Sequence, residues 1–297
     1  MHNLTVRGVT YEWDPWISLG PALALPLLSS EPGLYRIRRA GHAELDYIGQ
    51  TGIGIRRRVR MLRGITGTVM PYRDPHTAAP ALWALLQSEA CEFEVSGLPI
   101  EGDTAWRRGL EAVAIALHRQ KFGHSPTANF GRMPTGYRMS SGNNARLVAA
   151  GTRFRGGVAS ELDRSHAPGI RPVDGLEGNP QSETWCGHQW SSWQPLAAYR
   201  LALGRGIYRI RGGGAAGGLI YIGEGDLLAR LGSHLRKARP GGRSLRRQER
   251  VFSEAGEAEF GYVLGEWEAH ERLELETDLI AAHVLVLGHA PPGQFIG

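Results

Sequence analysis

The chain has 297 residues, a formal net charge of +5, and is 42% hydrophobic and 21% charged. That balance excludes wholesale disorder, and the length is enough for two domains of about 150 residues each. No run reaches the roughly 18 to 20 apolar residues of a membrane span. Two cysteines, Cys91 and Cys186, are too few for a disulfide framework, so the expectation is no membrane and a cytoplasmic location.

The basic residues are nearly all arginine, with lysine only at Lys121 and Lys237. Codon bias in a GC-rich genome accounts for the missing lysines. A sequence pI near 9.5 also suits a polyanionic partner, and arginine's planar fork grips phosphate better than an ammonium does.

In chain order, Trp13-x-x-Trp16 comes first, then an apolar stretch from Ile17 to Leu28 that resembles a signal-peptide core. Glu12 and Asp14 precede that stretch and no small-residue cleavage site follows it, so it reads as structure. Gly33-Leu34-Tyr35-Arg36-Ile37-Arg38 alternates apolar and basic residues as a half-buried strand does, and Tyr47-Ile48-Gly49 forms a second strand of a hairpin. Ile55, Val59 and Leu62 then fall on one face of a basic amphipathic helix. A strand around Cys91 to Val95 follows, and then a helix carrying Glu111 that ends at Gly123.

The same series recurs. Trp190-x-x-Trp193 precedes Gly206-Ile207-Tyr208-Arg209-Ile210-Arg211, then Tyr221-Ile222-Gly223, then Leu227, Leu231 and Leu235 at helical spacing. A strand over Glu259 to Leu264 leads to a helix carrying Glu276. Glu111 is followed by His118, Gly123, His124, Pro126 and Phe130, and Glu276 at the same offsets by His283, Gly288, His289, Pro291 and Phe295. So many coincidences in order mark an internal duplication. The expected division is a first module with its leading segment over 1–131, a Gly/Arg/Ser-rich connector over 132–183, and a second module over 184–297.

Each copy gathers two tyrosines on paired strands, an arginine on the next helix and a glutamate on a later one. A carboxylate is a usual ligand for one Mg²⁺, arginine stabilises charge on a phosphorane-like centre, and a tyrosine beside a cation can take a proton from water. That set can hydrolyse a phosphodiester. Taken singly, each residue has a plainer reading: strand tyrosines pack, and helix arginines and glutamates are solvated.

Both copies resemble the GIY-YIG nuclease superfamily, named for two tripeptides about ten to twelve residues apart. The resemblance covers about 31–130 and 204–295 and implies α/β (α+β) modules, each a small, mostly antiparallel three-stranded sheet flanked by helices. It also implies Mg²⁺-dependent cleavage of DNA by one-step attack of water. The resemblance implies that the first-motif tyrosine is the general base, that the arginine and second tyrosine bind the scissile phosphate, and that the glutamate holds the metal. In copy one the matching positions are Tyr35, Tyr47, Glu111 and Asn129, with the arginine among Arg56, Arg57 and Arg58; the apolar frame of Ile55 and Val59 selects Arg58. In copy two they are Tyr208, Tyr221, Arg230, His234 and Glu276. Leu62 stands in copy one where His234 stands in copy two, and Gln294 stands in copy two where Asn129 stands in copy one.

Arg236, Lys237, Arg239, Arg243, Arg246 and Arg247 form a basic run expected to contact the DNA backbone. His118 and His283 share a helical face with the glutamates and read as core histidines ahead of supports for the carboxylate. Cys186-Gly187-His188 lacks a matching ligand pair, so zinc is rejected. The expectation is a Mg²⁺-dependent endonuclease acting on double-stranded DNA in restriction or defence, with two modules serving as a pseudo-dimer in a monomer or assembling as a homodimer. Its rivals are one cutting module beside one DNA-reading module, and a non-catalytic DNA-binding protein.

Overall fold

The computed structural model describes residues 3–20, 25–68, 71, 76, 78–130, 169–213, 217–239 and 245–296. The expected connector falls outside the described residues over 132–168, as does Arg243. The protein is mixed α and β, with antiparallel sheets.

The chain divides into two compact units. Met1–Thr5, Val9–Gly102 and Lys121–Gly169 form the first; Val6–Gly8, Asp103–Gln120 and Ile170–Gly297 form the second. A short ribbon of β1 (Leu4–Val6) and β2 (Val9–Tyr11) stands apart from the main sheets.

In the first unit the sheet order is β3 (Ile17–Ser18), β6 (Phe93–Pro99), β4 (Gly33–Arg39), β5 (Tyr47–Thr51). Helices α1 (Ile55–Arg60) and α2 (Ala79–Ser88) lie between β5 and β6 in sequence. The core is made by one face of the sheet: Tyr35, Ile37 and Tyr47 join Ile55, Val59, Leu62 and Leu82 in one buried cluster. Period-two alternation in β4 puts Leu34, Arg36 and Arg38 on the other face.

The second unit repeats this order with β7 (Gln194–Pro195), β10 (Glu259–Leu264), β8 (Arg205–Arg211) and β9 (Leu219–Asp226). Its helices are α3 (Thr104–Phe122) over Asp103–Gln120, α4 (Leu227–Ala238), α5 (Arg247–Glu254) and α6 (Ala269–Leu287). The α6 helix ends at Gly288 in the left-handed conformation, φ 81°, as a C-terminal glycine cap does.

Two features differ from the sequence expectation. Each sheet has four strands rather than three, because the segment after each Trp-x-x-Trp pairs along the far edge: Ile17 opposite Val95, and Gln194 opposite Phe260. The units also do not follow boundaries at 131 and 184. The helix carrying Glu111 clusters with the second unit, where Arg119 is fully buried against Glu274 at 3.0 Å and Asp278 at 2.9 Å. Residues 170–183 of the expected connector join it there, with the Ile170 amide donating to Glu274 and Gln181 bonding Arg211.

The Trp-x-x-Trp motifs acquire a structural meaning here. Each lays its indoles on the arginines of the central strand, on the face away from the tyrosine. Arg36 lies 4.4 and 4.5 Å from the ring centres of Trp13 and Trp16, and Arg209 lies 4.3 and 4.5 Å from those of Trp190 and Trp193. The outer arginines Arg38 and Arg211 each stack on the second tryptophan and pair with a glutamate of the neighbouring strand, Glu94 or Glu259. A cation over an indole face is attracted by the ring quadrupole, which lets these guanidinium groups lie under cover.

Candidate active site

Strand register explains the two glycine-tyrosine motifs. In the first unit Tyr35 sits opposite Gly49, and in the second Tyr208 sits opposite Gly223. Cross-strand partners share a face, and so do residues two apart, so each tyrosine pair lies on the core side of its sheet. The Tyr35 and Tyr47 ring centres are 5.8 Å apart; those of Tyr208 and Tyr221 are 6.1 Å apart. The rings cross the glycine. A Cβ on Gly49 would lie 2.8 Å from the Tyr35 hydroxyl oxygen, and one on Gly223 would lie 2.4 Å from that of Tyr208.

The helix after each hairpin brings the arginine. Arg58 is near enough to Tyr35 to lower its pKa, whereas Arg56 is spent on the carbonyls of Leu28 and Pro26, and Arg57 is exposed. Arg230 donates to the Glu224 carbonyl at 3.1 Å and faces Tyr208, Tyr221 and Glu276.

The second unit holds the fuller set. Tyr208 is buried and bonds Nε2 of His234 at 2.9 Å. The His234 ring also lies 4.4 Å from Tyr221 and stacks 4.8 Å from Phe252, and burial lowers its pKa to about 3. It is therefore a neutral imidazole at neutral pH. Burial pushes the Tyr208 hydroxyl well above the ordinary tyrosine value and that of Tyr221 up to about 12, with Arg230 pulling both down.

Glu276 presents part of its surface to solvent while its carboxyl lies among Glu224, Arg230 and Gln294. Burial and then the charge of Glu224 push that carboxyl up to about 8. Glu224 is itself held by Arg272 at 2.9 Å. Two carboxyls competing for one place are what a bound cation relieves, so the donor chemistry fits a divalent metal. Among the described residues there is no cluster of three or more His, Cys, Asp and Glu able to enclose an ion. A metal here would rest on Glu276, with water filling most positions.

In the first unit, Glu111 is half-buried on α3, in the stretch that clusters with the second unit. Asn129 is buried and spends both ends of its amide on Ile48: its oxygen accepts the Ile48 N–H at 3.0 Å and its nitrogen donates to the Ile48 carbonyl at 2.9 Å. Gln294 holds the equivalent Ile222 N–H at 3.2 Å, and its amide also faces the Glu276 carboxyl and lowers its pKa. The Asn-to-Gln exchange thus keeps one contact and adds another.

Of the basic run, Arg236, Arg239, Arg246 and Arg247 are exposed. Lys237 is half-buried and its ammonium donates to Gln248, tying α4 to α5. His283 donates from Nδ1 to the His289 carbonyl at 2.8 Å, and His118 is fully buried.

One histidine was not among the sequence candidates. His76, in the segment before α2, is fully buried with its Nε2 2.7 Å from the Tyr35 hydroxyl. No periodic pattern surrounds it, so only the fold brings it to the site.

Comparison of the chain with protein-family models, with curated proteins and with solved structures finds no match. No helix among the described residues is long and apolar enough to cross a membrane.

Proposed function

We propose that the chain is a Mg²⁺-dependent DNA endonuclease of the GIY-YIG type, with two related modules in one chain that cut the two strands of a duplex, in restriction or defence. One observation carries the reading above all. In the second unit a buried tyrosine, a second tyrosine, an arginine, a neutral histidine and a carboxyl of raised pKa converge on one face of a small sheet. Packing alone does not call for that combination, and perturbed groups of this kind concentrate at functional sites.

Glu276 would hold the metal, and when bound Mg²⁺ supplies positive charge to the scissile phosphate and to a coordinated water. Arg230 opposes negative charge building on the phosphate. Tyr221 offers a hydroxyl to a phosphate oxygen. Tyr208 takes the proton of the attacking water once it is a phenolate, and Arg230 faces it from the side that stabilises that anion. Gln294 keeps Glu276 oriented and the strand of Tyr221 in place.

Purified protein with Mg²⁺ is expected to linearise plasmid. Glu111→Ala or Glu276→Ala should convert linearisation to nicking, and full duplex cleavage by the double variant would overturn the proposal. A second reading is that the second unit cuts while the first reads DNA. It is favoured by Glu276 sharing a compact unit with its tyrosines, whereas Glu111 and Tyr35 fall in different units. Under it, Glu276→Ala abolishes all cleavage and Glu111→Ala abolishes none.

A further inference from the structure

The two tyrosine pairs are attended by imidazoles of different origin. In the second unit His234 comes from α4, four residues after Arg230 and on the same helix face. The first unit has no counterpart at that place, because α1 stops at Arg60 and Leu62, four residues after Arg58, is a core side chain 1% exposed. Yet an imidazole is there. His76 puts Nε2 2.7 Å from Tyr35, as His234 puts Nε2 2.9 Å from Tyr208. The ring-centre distances to the first tyrosine are 5.7 Å in both units, and His76 also lies 5.4 Å from Tyr47.

The hydrogen bonding fixes which way the proton faces. The backbone N–H of Ala78 donates to Nδ1 of His76 at 3.1 Å. A nitrogen that accepts carries no proton, so the ring proton is on Nε2 and is donated to the Tyr35 oxygen. The Arg58 guanidinium also acts on this hydroxyl and lowers its pKa. An N–H donor on the phenolic oxygen together with a nearby positive charge favours its anion over its neutral form. The Tyr35 proton then points away from the imidazole, and the Tyr35 ring packs against Tyr47 with ring centres 5.8 Å apart. In the second unit the tautomer is not fixed in this way, since Nδ1 of His234 has no partner among the described residues.

We propose that His76 is the positioning residue of the first unit's tyrosine: a one-way N–H donor, delivered from the segment before α2, that replaces the helix histidine of the second unit and prepares Tyr35 to accept a proton. The inference rests on the nuclease reading for its chemical consequence, but not for its hydrogen-bond geometry. In the step concerned, Tyr35 has first given up its own proton to solvent and stands as the phenolate; the water oxygen then bonds phosphorus, the water proton passes to the Tyr35 phenolate oxygen, and the bond to the leaving oxygen breaks with its electron pair. His76 keeps its Nε2 proton throughout.

Two measurements on the full-length chain test it separately. The first needs no activity: nitrogen-15 NMR of the side-chain imidazoles should show His76 protonated at Nε2 and bare at Nδ1 near neutral pH. Its Nε2 resonance should move in Tyr35→Phe. An Nδ1-protonated ring, or an Nε2 signal indifferent to Tyr35→Phe, would overturn the proposal. The second uses Glu276→Ala as background, so that cleavage reports the first unit, and follows plasmid nicking from about pH 6 to about pH 9.5. His76→Ala should slow nicking by about 100-fold and move the rising limb of the pH profile up by about one unit, and His76→Gln, which keeps an N–H donor, should restore the limb. A merely structural histidine would lower the rate at every pH and leave the limb where it was, and that result overturns the proposal. Absence of nicking in every background, with the expected NMR result, would sink the nuclease reading while leaving His76 as the donor to Tyr35.

Discussion

The guanidinium carbon of Arg209 lies 4.3 Å from the ring centre of Trp190, and the arginine is fully buried. Burial, and then the charge of Arg211, lower the Arg209 pKa to about 9, so at neutral pH it is a cation out of water. Its Nε and Nη2 have no hydrogen-bond partner among the described residues, while its Nη1 donates to the Pro180 carbonyl. The indoles replace part of the lost hydration. Trp190→Leu should therefore destabilise the fold by about 2–4 kcal/mol, more than the lost area alone implies. Arg209→Met in that background should recover part of the loss. A double-mutant cycle in urea that finds coupling below about 0.5 kcal/mol would refute this account of the motif.

A second prediction concerns Gly223. Any Cβ there enters the space of the Tyr208 hydroxyl, so the tyrosine must tilt or the strand must shift. Gly223→Ala should cost about 1–3 kcal/mol, the usual range for overpacking. Cleavage should fall far more than stability does, because the ring that moves is the proposed base. Unfolding and nicking assays on the same preparation would check this; parallel small losses in both would argue against the tyrosine as reacting group.

The strands and the tyrosine pairs were legible because each is local: alternation in Gly33–Arg39 and Arg205–Arg211, and glycines at fixed offsets from tyrosines. The Trp-x-x-Trp motif was visible twice, but its meaning depends on a strand about 20 residues later, and pairing along the sheet edge adds the fourth strand that the three-stranded expectation omits. His76 was beyond reach for the same reason in stronger form, since it meets a tyrosine 41 residues away and has no copy at the matching position. Helices α2 and α5 also went unread, the first short and apolar, the second hidden in a basic run.

Asn129 and Gln294 should separate stability from activity. Asn129→Ala strands both the N–H and the carbonyl of Ile48 in a buried place, which should cost about 2–4 kcal/mol. Gln294→Ala loses one strand contact and the amide that faces Glu276, so its stability loss should be the smaller and its effect on Mg²⁺ dependence the larger. Melting curves and metal titrations of nicking are the measurements. Equal effects of the two variants on both would remove the distinction.

His283 offers a pH test with a definite sign. Its Nδ1 proton goes to the His289 carbonyl, its Nε2 is buried without a partner among the described residues, and burial lowers its pKa to about 4. In the unfolded chain a histidine titrates near 6.5. Between these values the unfolded state binds a proton that the folded state refuses, so stability is lost as pH falls from about 6.5 to about 4. Raised carboxyls at Asp278 and Glu276 act in the opposite sense, so the difference between wild type and His283→Asn is the quantity to follow. The wild type's advantage should shrink by about 2 kcal/mol across that window, and a difference independent of pH would contradict the assignment.

The basic residues around α4 and α5 divide by exposure, and DNA binding should divide with them. Arg236, Arg246 and Arg247 are exposed, so each is free to displace a counterion from a phosphate. Alanine at any one should weaken binding to all sequences alike and lower the slope of log K against log salt by about one. Lys237 is different, because its ammonium is engaged with Gln248 across the two helices and it is only partly exposed. Lys237→Ala should leave the salt slope nearly unchanged and lower the melting temperature instead. Binding isotherms at several salt concentrations, with Glu276→Ala to prevent cleavage, would measure all four. If Lys237→Ala changed the slope while the three arginine variants did not, the phosphate-contacting face would have to lie elsewhere on the unit.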